Sequence, residues 1–334
     1  MMETLEREEL CFPQLNNSCR KPLKRHAENT FLYILLSCIA VITVTFNLLV
    51  IIAVFHFRKL QTPTNLLLLS LAVSDFLVGL LLMPIQIPEI GGCLVFGSFG
   101  CAMFNYASYI ITSASVGNMV LISVDRYVAI CEPLSYPMKV TRRRVQVCIC
   151  LCWGSSVFYN GLILKENIED PEKHNPCYGE CIYLIDLLPG AFDTILTFIA
   201  PVTVIIVLYM RVFLVAVSQA RAMRSQITAI TMKGSVCITA KKSEKKAATA
   251  LGGVVIVFLF SFCPYFCLSL IGENIENEAE SILGTWLLYI NSCINPIIYA
   301  LFYPWFRKNS VKLILTLQIL LPNSSYINPM DKNI

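Results

Sequence analysis

Charge is what this chain has least of. Asp, Glu, Lys and Arg make up 14% of its 334 residues, while apolar types make up 56%, a balance that excludes an ordinary soluble domain and suits one that meets lipid. Histidine is scarcer still: the three present, His26, His56 and His174, all lie outside the depths of the apolar runs. No nucleophile–base set and no metal-ligand spacing accompanies them, so an enzyme is not expected. No nucleic-acid motif is present. The opening "MMETLEREEL" lacks the apolar core of a cleavable signal, and the first apolar run is expected to act as its own insertion signal. A transporter or channel, with Asp75 and Asp193 as stations on an ion path, is the rival class. It would call for an internal repeat and for charges paired along one pore, and neither is found.

What is there is a series of seven apolar runs, at 31–56, 65–87, 102–123, 145–164, 187–210, 247–271 and 282–303. Each is long enough to cross a bilayer as a helix. The expected fold class is therefore an all-α membrane protein, a seven-transmembrane helix bundle over 31–303 preceded by an extracellular tail over 1–30. Short connections make neighbouring helices antiparallel. Basic residues crowd "TRRR", the segment ending "KKSEKK", and Arg307 with Lys308, which puts those loops in the cytoplasm. Arg20, Lys21, Lys24 and Arg25 in the tail argue the other way but are outvoted by outer loops without bases, "GENIENEAES" among them. Cys11, Cys19, Cys93, Cys101, Cys177 and Cys181 then fall on the oxidising side. Spacing alone does not choose among their pairings. The sequon at Asn16 lies on the same tail and is a glycosylation candidate.

Several polar residues interrupt the runs. Asn47, Asp75, Ser115, Asn291, Ser292 and Asn295 stand at middle depth, where polar groups face the bundle interior and bond to one another. Asp75 further needs a proton or a cation, and Ser115, Asn291 and Asn295 offer the oxygen ligands that a small hard cation takes. At the end of the third run, "SVDRYVAICEPL" puts Arg126 where either Asp125 or Glu244 can occupy its forked donors. Asp193 is the sharpest anomaly. It sits in "LLPGAFDTILTFIAPVTVIIVLYM" with no Lys or Arg in the outer half of any run, although an ionised Asp at a membrane helix centre costs about 2.5–3.5 kcal/mol on insertion scales. Thr197, one turn on, is a hydrogen-bond candidate for it.

"DRY" at Asp125–Tyr127, "NPIIY" at Asn295–Tyr299, Asn47, "LAVSD" ending in Asp75, Trp153 and Pro264 resemble the signature positions of rhodopsin-like G-protein-coupled receptors. "NSCINPIIYALFYPWF", "CFPQLNNSC" and "CYGEC" resemble trace amine-associated receptors within that class. The resemblance implies a short amphipathic eighth helix and cytoplasmic tail over 304–334. It implies a sodium pocket of Asp75, Ser115, Asn291 and Asn295, with sodium as a possible structural ion and no other cofactor. It implies an activation set of Asp125, Arg126, Tyr127, Tyr209, Glu244 and Tyr299, in which Arg126 leaves Glu244 to meet the G protein while Tyr209 and Tyr299 swing inward. Disulfides Cys101–Cys181, Cys11–Cys177 and Cys19–Cys93 are implied in the same way.

Two departures stand out. Ser108 occupies the third-run position where amine receptors carry an aspartate, and Phe262 in "SFCPYF" replaces the switch tryptophan. Asp193 resembles the fifth-helix carboxylate of a subset of the family, which implies that a small cationic amine is the missing cation. Around it the ligand set is expected to be Tyr109, Thr112, Thr197, Phe262, Tyr265, Phe266, Trp286 and Tyr289, whose ring faces attract cations. The implied activity is olfactory reception of volatile or water-borne amines through a heterotrimeric G protein of stimulatory or olfactory type, raising cyclic AMP, at the plasma membrane with the N-terminus outside. The alternative is a receptor for a non-amine ligand with Asp193 structural.

Overall fold

The computed structural model describes residues 10–15, 17–19, 26–89, 96–172, 177–179, 181, 187–229, 256–266 and 278–302. Asn16, Cys93, Glu244 and the expected eighth helix lie outside the described residues, as does the side chain of Tyr299. The helices of the bundle are α1 (His26–His56), α2 (Pro63–Pro88), α3 (Ser98–Cys131), α4 (Arg142–Ile163), α5 (Leu188–Val215), α6 (Ile256–Phe266) and α7 (Glu278–Phe302). The first five are long and apolar enough to cross a membrane. Helix α1 starts at His26, ahead of the apolar run that was expected to begin it at residue 31. Among the described residues there is no strand, only an isolated bridge between Ser18 and Tyr178.

Helix α3 is the hub, touching α2, α4 and α5, while α1 lies between α2 and α7. The polarity of the bundle is inverted relative to a soluble protein. Phe55, Phe158, Phe213 and Phe260 point outward at 65%, 70%, 62% and 73% exposure, whereas Thr43, Asn47, Ser74, Asp75, Asn118 and Asn295 are sealed inside. Lipid tails solvate phenyl rings and cannot solvate amides, so the polar groups become the interhelical ties. Asn47 Nδ2 donates to the Ser292 carbonyl at 3.0 Å, joining α1 to α7. Trp153 Nε1 donates to Ser70 Oγ at 3.1 Å, joining α4 to α2. Asn160 Nδ2 donates to Ser113 Oγ at 3.1 Å, joining α4 to α3.

Local sequence explains the helix starts and breaks. Thr62 accepts from Asn65 N at 3.3 Å with Pro63 opening the helix, and Thr141 accepts from Arg144 N at 3.4 Å, both ordinary caps for first-turn donors. Proline removes the donor that would serve the carbonyl one turn earlier. Near Pro84 and Pro201 the backbone answers with π-turns at Val78–Leu82 and Ile195–Ile199. The second has a consequence for Asp193: one residue added to a turn rotates everything before it by about 100° around the axis relative to an unbroken helix.

At one end of the bundle the tail is fastened to the segment around 177–181. Cys101, in the first turn of α3, is bonded to Cys181 as expected. The other pairing differs from expectation: Cys19 is bonded to Cys177, which replaces both Cys11–Cys177 and Cys19–Cys93. The reason is backbone register. Cys19 N donates to Tyr178 O at 2.9 Å and Tyr178 N to Asn17 O at 2.6 Å, which brings the Cys19 and Cys177 Cα atoms to 5.1 Å, within disulfide reach. Cys11 is disulfide-bonded too. Its side chain lies against Gly179, whose φ of 116° and tight quarters, 3.1 Å from a built Cβ to Cys11 Cβ, favour glycine there.

Candidate functional site

Asp193 faces the bundle interior at 6% exposure while its neighbours Phe192 and Ile195 face outward at 58% and 53%. Its Oδ1 accepts a hydrogen bond from the Tyr159 hydroxyl of α4 at 2.9 Å. Thr197, expected to serve the carboxylate, instead donates to the Asp193 backbone carbonyl at 2.8 Å. A threonine one turn on in a helix reaches that carbonyl more readily than a side chain pointing away. Among the described residues the ion pairs involve Arg126, Lys139 and Lys165, and none of them includes Asp193.

The rings gather beside it. Phe198 of α5 stacks on Phe266 of α6 with centroids 4.1 Å apart and planes 9° apart. Tyr265 meets Phe266 edge-on at 5.2 Å, hydrogen-bonds Tyr109 of α3, and lies within electrostatic range of Asp193. Thus Asp193, Tyr109, Tyr265 and Phe266 come together from three helices. Phe262 lies deeper, 2% exposed, its ring 4.3 Å from that of Phe258. Trp286 and Tyr289 are buried on α7 as an edge-to-face pair at 5.8 Å. Thr112 and Ser108 are half-buried on α3. Tyr159 and Phe198 were missed by sequence reasoning, since neither tyrosine nor phenylalanine in an apolar run signals anything beyond packing.

A second polar cluster lies deeper. Asn295 Nδ2 donates to Asp75 Oδ2 at 2.9 Å, and Ser292 also bonds this carboxylate. Asp75 Oδ1, Asn291 Oδ1 and Asn295 Oδ1 are buried with no hydrogen-bond partner among the described residues. Ser115 is buried on α3 at 4% exposure. Orphaned buried oxygens are costly, and an all-oxygen donor set carrying one carboxylate fits a hard monovalent cation. Ser292, read from the sequence only as a polar residue of the seventh run, belongs to this cluster.

The third cluster is the latch at the Arg126 end. Arg126 Nε donates to Asp125 Oδ2 at 2.9 Å, and one terminal nitrogen donates to the same oxygen and to Thr64 Oγ1. Thr64 Oγ1 donates to Asp125 Oδ2 at 3.0 Å and the Tyr136 hydroxyl to Asp125 Oδ1 at 2.9 Å. Asp125, one of the two carboxylates that the sequence offered Arg126, bonds it here; the other, Glu244, lies outside the described residues. Tyr136, from the short helix Tyr136–Lys139, and Thr64 are additions that the sequence did not single out. Burial pushes the Tyr136 phenol above its usual range, and the Asp125 carboxylate adds to that, so it remains a donor. Tyr127 and Tyr209 are half-buried on α3 and α5.

Residues 46–299 match the 7 transmembrane receptor (rhodopsin family). The chain is 39% identical to trace amine-associated receptor 13c of Danio rerio, with 96% of each chain covered. It is 34% identical to trace amine-associated receptor 6 of Pan troglodytes, covering 98% of this chain and 97% of that one. It is 38% identical to trace amine-associated receptor 7e of Mus musculus, covering 96% and 92%.

Proposed function

This chain belongs to the trace amine-associated receptors of the rhodopsin family of seven-transmembrane receptors, and on that premise we propose that it binds a small protonated amine at Asp193. It is a signalling receptor and not an enzyme. The observation that carries the proposal is a buried carboxylate with rings around it and no ion-pair partner among the described residues. A buried carboxylate without a cation is costly, and an incoming ammonium supplies the cation while ring faces add about 0.5–2 kcal/mol each. The receptor is read as a plasma-membrane protein with its N-terminus outside, coupled to a stimulatory G protein of olfactory type. The test is cyclic AMP in cells expressing the full chain, across a panel of primary, tertiary and diamines. A concentration-dependent rise for at least one amine is expected; silence across the panel with receptor verified at the surface sinks the proposal. One observation favours a second reading, a non-amine ligand with Asp193 structural: the Tyr159 hydrogen bond already satisfies one of its oxygens.

Signalling then follows from population shift. An amine that binds better when α5 and α6 have moved favours that arrangement by its differential affinity, and Arg126 leaves Asp125 and Thr64 to face the G protein. Glu244, Tyr209 and Tyr299 complete the proposed activation set. Tyr136 holds the resting latch through a hydrogen bond to a charged group, an interaction worth about 1.5–3 kcal/mol. Tyr136→Phe is therefore expected to raise basal cyclic AMP several-fold with little change in amine potency; unchanged basal signalling removes Tyr136 from the latch.

Asp75, Ser115, Asn291 and Asn295 would hold a sodium ion, which would neutralise the buried carboxylate and satisfy the orphaned oxygens. Exchanging sodium for potassium in the assay medium is expected to raise amine potency about threefold to tenfold in the wild type, a coupling of ordinary allosteric size. In Asp75→Asn the exchange should do nothing. Equal responses of both proteins to the exchange argue against the sodium site.

A further inference from the structure

Resting on the reading that an ammonium pairs with Asp193, we propose that Tyr159 is a positioning and specificity-determining residue. Its hydroxyl takes one acceptor position on Oδ1 of the Asp193 carboxylate and so narrows what the carboxylate offers the ligand, with Oδ2 left as the unoccupied oxygen. The hydroxyl stands 2.9 Å from Oδ1 and donates to it. Oδ2 accepts no hydrogen bond among the described residues. The nearby hydroxyls of α5 do not compete for it: Thr194 donates to Gly190 O at 2.9 Å and Thr197 to Asp193 O at 2.8 Å.

The phenol is held in place by more than its own bond. The next residue, Asn160, is fully buried and ties α4 to Ser113 of α3 at 3.1 Å and to its own turn through the Ser156 carbonyl at 2.7 Å. This fixes the rotation of α4 at the level of Tyr159. Asp193 is in turn aimed inward by the π-turn Ile195–Ile199. Two independently fixed helices therefore meet at one hydrogen bond.

The consequence concerns how many N–H groups the site can satisfy. A tertiary ammonium has one N–H, which the open oxygen accepts in full. A primary ammonium has three, and with the Tyr159 hydroxyl holding one acceptor position of Oδ1 the carboxylate has fewer positions left for the second and third N–H groups. Removing the phenolic hydroxyl frees that position of Oδ1 for a further N–H. Only ligands with more than one N–H gain from that.

The test uses the primary amine and the N,N-dimethyl amine of one carbon frame, the frame being the one that responds most strongly in the amine panel. Cyclic AMP concentration–response curves are recorded for the wild type, Tyr159→Phe and Tyr159→Leu at matched surface level. The expected result is a shift of the potency ratio towards the primary amine by about tenfold in both variants, the size of one charge-assisted hydrogen bond. Equal shifts for both amines, or no shift, overturn the proposal, because a merely structural tyrosine has no means of telling one N–H from three. Asp193→Asn is run beside them. If it leaves both responses intact, the ammonium reading itself has failed; if it removes both while the Tyr159 variants leave the ratio unchanged, only the role of Tyr159 has failed.

Discussion

Asp193→Asn is expected to move the amine concentration–response curve by about 30-fold or more at unchanged surface expression. Removing one partner of a buried charged pair costs about 2–5 kcal/mol, and each 1.4 kcal/mol is tenfold. The substitution is chosen because it preserves shape. An amide oxygen still accepts from Tyr159, whose hydroxyl lies 2.9 Å from the carboxylate, and the Thr197 bond to the backbone is untouched. Folding therefore has little reason to change, and what is lost is the charge. Potency within about threefold of wild type would favour the reading in which Asp193 is structural and the ligand is not a cation.

The second large effect is expected at Cys101. Its bond to Cys181 closes a sequence separation of 80 residues, and the loop-closure account assigns such a bond about 4 kcal/mol, comparable to the whole stability of a marginal domain. Cys101→Ser, Cys181→Ser and the double substitution should each reduce surface receptor by more than tenfold and to the same level, because one bond is lost in all three. Cys38→Ser and Cys150→Ser, at exposed thiols in α1 and α4, should leave it near wild type. The same logic tests the register at the tail. Cys19→Ser and Cys177→Ser should be non-additive with each other, and non-reducing peptide mapping should recover the two cysteines in one linked species. Recovery of Cys11 linked to Cys177 would show that the backbone bridge between Ser18 and Tyr178 does not set the pairing in cells.

Most of the architecture was legible because lipid imposes a simple rule. A run of about 20 apolar residues must be a helix whose backbone bonds to itself, and its polar interruptions must face inward. Asn47, Asp75, Asn295 and Trp153 obey this, and each finds its partner on another helix or, for Asn47, on both its own helix and α7. For Arg126 the sequence offered both Asp125 and Glu244 without choosing between them, and the bond to Asp125 is read from the structure. Tyr159, Phe198, Thr64 and Tyr136 were not, because residues that pack or hydrogen-bond equally well anywhere carry no signal of where they are used.

By itself, then, the sequence determined the class of fold, the family, and the presence of a carboxylate in the fifth helix without a neighbouring base. The fold class and the carboxylate follow from composition, spacing and the solvation cost of charge, all of which are local, and the family from the resemblance of its motifs. Only the tertiary structure decided which side chain meets that carboxylate, which cysteine Cys177 takes, and that Thr197 serves the backbone. These depend on helix rotation and backbone register. A π-turn of five residues or a single backbone bridge resets such quantities by a whole side-chain position, and neither is written in residue type.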